Sequence, residues 1–184
     1  MKPGLIARAA VCVLCSLGLW WFLFRPVSST VLRNLVYIPL AVLLAPAGLA
    51  PVTVNPESGE WIFNVAVHHN GIESIEFAAE PGTAEDFTAG WFSYAGLALA
   101  VGGFRRAKLS AGLKGLALQV AVSVLALTAF AYVSAFSAVA QEGALQGALG
   151  VAGYILGGVV PLAGPFAIAL FIHPEWRTFF HRPQ

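Results

Sequence analysis

The sequence predicts an α-helical integral membrane protein: four transmembrane helices, an interfacial amphipathic helix, and a small periplasmic sheet of a β-hairpin or three strands. Three observations carry that expectation. First, 58% of the 184 residues are hydrophobic and only 10% are charged, where about a quarter are charged in an ordinary soluble domain. The apolar residues form continuous blocks of the roughly 20 residues that a helix needs to cross a bilayer. Second, the charges nearly cancel to +1 but are segregated. Seven of the nine acidic residues (Glu57, Glu60, Glu73, Glu76, Glu80, Glu85 and Asp86) lie in one stretch without Lys or Arg. Lys2, Arg8, Arg105, Arg106, Lys108, Lys114, Arg177 and Arg182 instead flank apolar blocks, and basic flanks belong on the cytoplasmic side. Third, the acidic stretch switches from continuous apolarity to strict alternation, the period of a half-buried strand.

Residues 1–26 read as the first transmembrane helix, with Lys2 and Arg8 ahead and Trp20 and Trp21 at the far interface, where aromatic side chains form a belt. A cleavable signal peptide is the competing reading. Its apolar region would be too long, and its small residues near Gly48 and Ala50 run straight into Pro51. Residues 27–50 predict a helix lying in the periplasmic interface. A span there would bury Arg33 and Asn34 and be interrupted by Pro39 and Pro46. It would also send Arg105, Arg106 and Lys108 outside, against the charge rule. Ser29, Arg33 and Tyr37 recur at four-residue spacing opposite Val31, Leu35, Ile38 and Val42, an amphipathic pattern.

Residues 51–85 are the acidic β segment. Trp61, Phe63, Val65 and Val67 alternate with Ile62, Asn64, Ala66 and His68. Asn70-Gly71 is a strong hairpin turn signal because both positions tolerate positive φ. Residues 72–77 then pair back, and a turn at Glu57-Ser58-Gly59 makes 52–55 a third strand. Residues 86–104 are the second transmembrane helix, with Asp86 as an N-cap anion at the positive helix end. A basic cytoplasmic loop (105–112), a third helix (113–139), a periplasmic turn (140–147), a fourth helix (148–172) and a cytoplasmic tail (173–184) complete the scheme. Arg105, Arg106, Lys108 and Lys114 determine this topology, and both termini are expected in the cytoplasm.

Candidate chemistry is sparse. Cys12 and Cys15 have the spacing of a redox dithiol. They lie inside a span with no second pair to exchange with, so they read as small packing residues. His68 and His69 are strand neighbours that face opposite ways and read as solvated turn residues, and His173, Glu175 and His181 fit no metal signature. The acidic run attracts cations or a basic partner through its summed field, or serves only solubility. Gly147, Gly150, Gly153 and Gly157 step by three or four along the fourth helix and are expected to pack it against its neighbours. Pro161 and Pro165 predict a kink or break. The spans hold almost no ionisable side chains, which argues against ion or proton transport. No Gly-x-Ser-x-Gly or His-Glu-x-x-His occurs. Neither a cofactor nor a metal is expected. No basic patch with interleaved aromatics points to nucleic acid.

Several motifs nevertheless resemble one small family, the exosortase H-associated membrane proteins of Gram-negative bacteria. Leu19-Trp20-Trp21-Phe22-Leu23-Phe24-Arg25-Pro26 is similar to that family's first span, which ends in aromatics and a proline before an amphipathic segment. Phe92-Ser93-Tyr94, and Gly153-Tyr154-Ile155-Leu156-Gly157 running into Val160-Pro161 and Pro165, are the other matching stretches. The family carries Asn-Pro before its second span where this chain has Glu85-Asp86-Phe87-Thr88. The resemblance implies a non-enzymatic inner-membrane accessory of a C-terminal protein-sorting system. It implies membrane lipids and a sorting enzyme or its substrates as partners, and it carries over no catalytic residues. The sorting enzyme itself presents Cys, Arg and His on successive late spans, whereas Cys15 here comes early. The expected contact surface is the outer face around Trp61, Phe63, Glu73 and Glu76. A stand-alone envelope protein that binds a lipid or cation through its acidic hairpin is the alternative.

Overall fold

A computed structural model describes residues 3–46, 48–69, 72–102, 104–140 and 143–180. Helices α1 (Pro3–Leu19) and α2 (Arg25–Leu43) are joined by a five-residue π segment, Trp20–Phe24. Strands β1 (Val52–Val54), β2 (Trp61–His69) and β3 (Ile72–Ala79) follow, then α3 (Pro81–Ala100) and α4 (Leu109–Val139). Next come α5 (Ala144–Tyr154), a second π segment at Ile155–Val159, α6 (Val160–Ile172) and the short α7 (Pro174–Phe180).

Three helical stretches are long and apolar enough to cross a membrane: Gly4–Leu43, Leu109–Val139 and Leu145–Ile172. The fourth bundle helix, α3, is not among them. Its first half carries Glu85, Asp86 and Thr88, which dilute its apolarity. It occupies the centre instead, packed on α1, α2, α4 and α6, with Phe87, Thr88, Tyr94 and Ala98 fully buried.

The expected break between a first span and a separate interfacial helix is absent, because Gly4–Leu43 is one helix of 40 residues. At 1.5 Å per residue it is about 60 Å long, about twice the hydrocarbon thickness of a bilayer. The reason lies in the π segment. Arg25 N–H bonds Trp20 O, five residues back, which shifts the hydrogen-bond register just before Pro26, the residue with no N–H to give. The same device recurs later in the chain. Val160 N–H bonds Ile155 O, and Pro161 follows. Pro161 and Pro165, where the sequence predicts a kink or break, lie inside one continuous helical stretch, Leu145–Ile172, so there is no break. Pro39 is likewise held inside α2.

The sheet is antiparallel in the order β1-β2-β3. Val52 opposes Phe63 and Val54 opposes Trp61, while Phe63 opposes Phe77 and Val65 opposes Ile75. A register irregularity lies between Ala66 and His69. Asn70 and Gly71, the expected turn, lie outside the described residues. The alternation has the expected consequence: Trp61, Phe63, Val65 and Val67 are all buried. They form one core with Leu32, Val36 and Leu40 of α2 and Ala126, Leu127 and Ala131 of α4. The sheet therefore caps one end of the bundle. At the other end a second core joins Ala9, Tyr94, Leu97, Ile168 and Trp176.

Candidate functional site

Among the described residues the sheet cap presents polar side chains and extended backbone together, and its placement follows from residue periodicity. Because every second β2 side chain is committed to the core, Trp61 (4% exposed) and Phe63 (0% exposed) are anchors. They stack with neighbours, Phe63 lying 5.2 Å from Phe77 between ring centroids. This corrects the expectation that they face a partner. Glu76 is exposed on β3, while the side chain of Glu73 lies outside the described residues. Asn64, on the opposite parity, is held by Nδ2 donating to Ala50 O at 2.9 Å.

Between α2, the sheet and the start of α3 lies a polar cleft of about 180 Å³, lined by Ser29, Thr30, Arg33, Val54, Trp61 and Glu85. Below it Glu85 pairs with Arg25, whose guanidinium also sits 4.4 Å above the Trp21 ring. Arg33 has no ion-pair partner among the described residues, and Ser29 Oγ is buried without a hydrogen bond.

Helix α3 carries polar side chains at three-residue spacing, Glu85, Thr88, Trp91 and Tyr94, and each one finds a partner within the fold. Thr88 Oγ1 accepts from Trp20 Nε1 at 3.0 Å and donates to Glu85 O. Trp91 Nε1 donates to Ser123 Oγ at 3.0 Å. The Tyr94 hydroxyl lies 3.0 Å from His173 Nε2. Buried polar groups are tolerated only when paired in this way. His173 is 1% exposed, so it is a bundle residue and not the surface-tail residue the sequence suggested. Burial holds its imidazole below the ordinary range; Glu175 opposes that shift and Lys108 adds to it. Lys108 and Glu175 pair directly, which pulls the Glu175 carboxyl down.

Arg105, Arg106 and Lys114 are exposed and share the end of the bundle that holds α7 and the start of α1. The glycine expectation needs correction. A Cβ at Gly147 or Gly150 would meet nothing within 4 Å, at Gly153 it would make ordinary contact with Val133, and only at Gly157 would it press on Phe130, at 3.1 Å. The closest approaches lie elsewhere. Gly96 faces the Val13 backbone of α1, Gly115 faces the Tyr94 ring, and Gly90 faces Gln119 and Pro161 O. A hydropathy reading passes over single glycines in the second and third helices. The three-residue stripe Glu85, Thr88, Trp91 and Tyr94 is the signal that would have exposed the seam. Cys12 is half-buried and Cys15 is exposed, both as free thiols. Among the described residues no three His, Cys, Asp or Glu side chains gather as a metal cluster would. No family model, curated protein or solved structure matches the chain, so the bundle and its cap must speak for function on physical grounds.

Proposed function

We propose that this protein is a non-enzymatic accessory of an exosortase-type C-terminal protein-sorting system, scaffolding the sorting enzyme or presenting substrate to it. In this reading four helices cross the bacterial inner membrane, both termini are cytoplasmic, and the sheet cap is periplasmic. Three features support the placement. The exposed basic residues gather at the end opposite the sheet, as the positive-inside rule requires. The 40-residue first helix is longer than one bilayer needs, which in this reading puts its second half, packed on the sheet, at the periplasmic side. Thr88, Trp91 and Tyr94 of α3 face protein, which eases the usual objection to its crossing, and the exposed Asp86 lies in its first turns at the sheet end.

The observation that carries the accessory role is the outer edge of β3, which pairs with no further strand among the described residues. The sheet is clamped to the bundle through β2, and β3 is an end strand with Ser74, Glu76 and Ala78 exposed. An unpaired strand edge accepts an extended segment as an added strand, and a rigid base reduces the entropy lost when it does so. In this reading the segment of the substrate beside its sorting span is what adds to β3. The test is a photo-crosslinker at Glu76 in living cells, combined with deletion of the gene. Capture of the sorting enzyme or its tagged substrate, and unprocessed substrate in the deletion strain, are expected. Normal processing would refute the role. In a Cys12→Ser, Cys15→Ser background, an impermeant maleimide added to intact cells should label Glu76→Cys and spare Arg106→Cys. The reverse pattern would overturn the orientation.

A further inference from the structure

At the basic end of the bundle, α1, α3, α6 and α7 enclose an apolar crevice of about 350 Å³. Its walls include Ala9, Ala10 and Val13 of α1, Leu97 of α3, Ala169 of α6 and Trp176 of α7. The alanines leave the space. Ile6 and Phe166, also in its lining, are 46% and 53% exposed, so the crevice is open at the side. Its volume lies within the range of about 300–1,000 Å³ seen for ligand pockets.

Three features specify what belongs there. The walls are almost wholly apolar, which suits a hydrocarbon chain. Trp176, 8% exposed, closes the inner wall with its ring, a large apolar face against which a chain can lie. The surroundings are cationic. Arg8 and Arg177, each next in sequence to a lining residue, are exposed, as are Arg105, Arg106 and Lys114. Glu175 is the only acid described at this end, and Lys108 already pairs with it.

We propose that the crevice holds one acyl chain of an anionic phospholipid. The Trp176 ring lies against the chain, and Arg8 and Arg177 supply the positive field for the headgroup. Basic recesses between transmembrane helices take anionic headgroups for this reason. The inference needs the bundle to be in a bilayer, and it is independent of any sorting partner.

The test uses the full chain in nanodiscs of phosphatidylglycerol and phosphatidylethanolamine with identical acyl chains, released into detergent for native mass spectrometry. The wild type is expected to retain one phospholipid, enriched in phosphatidylglycerol. Ala10→Phe, at an exposed rim position, should lower retention about tenfold, the effect of displacing about two methylenes. Trp176→Phe should lower it severalfold, and Arg8→Gln with Arg177→Gln should abolish the headgroup preference. Leu125→Phe, on a 66% exposed site of α4 away from the crevice, should change nothing. Equal retention by Ala10→Phe and the wild type, or equal retention of the two lipids, would overturn the proposal. So would a crosslink from position 10 to another protein chain in place of lipid.

Discussion

Replacing Gly96 with alanine tests where the helices of this bundle meet most closely. A Cβ there would lie 2.6 Å from Val13 Cα, 2.8 Å from Val13 N and 2.9 Å from Cys12 O. Relaxed contacts between carbon atoms are about 3.5–4.0 Å, so α1 and α3 must separate by about 1 Å. The atoms met are backbone, and no rotamer change relieves them. Overpacking of this kind costs about 1–3 kcal/mol, and the upper end applies where backbone must move. Alanine returns about 0.8–1.0 kcal/mol of helix propensity, leaving a net loss of about 1–2 kcal/mol. For a chain of this length that lowers Tm by about 2–8 °C. Thermal unfolding in detergent reads the shift. Maleimide labelling should find the half-buried Cys12 more reactive. Gly147→Ala, whose added Cβ meets nothing within 4 Å, serves as the contrast and should leave Tm unchanged or raise it. A Gly96→Ala protein as stable as the wild type, with Cys12 no more reactive, would refute the close approach; so would Gly147→Ala being the more damaging change.

Three further outcomes follow from the same geometry. His173 is held below its ordinary value by burial, so the unfolded chain binds that proton more readily. The stability due to neutral His173 is full above about pH 6.5 and is lost as pH falls from there through the folded value; Tm should drop from pH 7.5 to 5 in the wild type and much less in His173→Gln. Glu85→Gln removes one half of a pair whose side chains are 34% and 17% exposed. It should cost about 1 kcal/mol, with a double-mutant cycle against Arg25→Gln showing coupling of the same sign. Trp61→Ala should cost about 3–5 kcal/mol by opening the core beneath the sheet, whereas Glu76→Ala should stay within about 0.5 kcal/mol; denaturation in detergent separates them, and a neutral Trp61→Ala would return that residue to the surface.

Periodicity made the sheet legible. Alternation from Trp61 to Val67 requires one face to be dry, and the structure buries that face. The same alternation does not say whether the dry face meets this chain's own helices or a partner, and that is why Trp61 and Phe63 were read as contact residues. Proline misled in the opposite direction. Pro39, Pro161 and Pro165 each remove a donor, yet all three lie inside continuous helical stretches, and π segments shift the register ahead of Pro26 and Pro161. Nothing in Trp20–Phe24 or Ile155–Val159 announces a five-residue turn. The glycine stripe of the fourth helix was visible because it repeats. Gly96 and Gly115, which make the tight contacts, were not, because only the facing backbone or ring gives an isolated glycine its meaning.

Composition and charge order by themselves determined that this is a chain of long apolar helices with a small acidic sheet, and that most of its basic and acidic residues lie in separate segments. Those are properties of one-dimensional pattern: block length, alternation and charge spacing. Which helix sits at the centre was decided only by tertiary structure. Hydropathy counts side chains without asking what they face, so α3 falls short of a membrane-length apolar helix while being the helix against which the others pack. Its Thr88, Trp91 and Tyr94 are compatible with that position because Trp20, Ser123 and His173 arrive from distant parts of the chain to meet them. A buried polar group is tolerable only with its partner in place, and partners 32 to 79 residues apart are brought together by the fold alone.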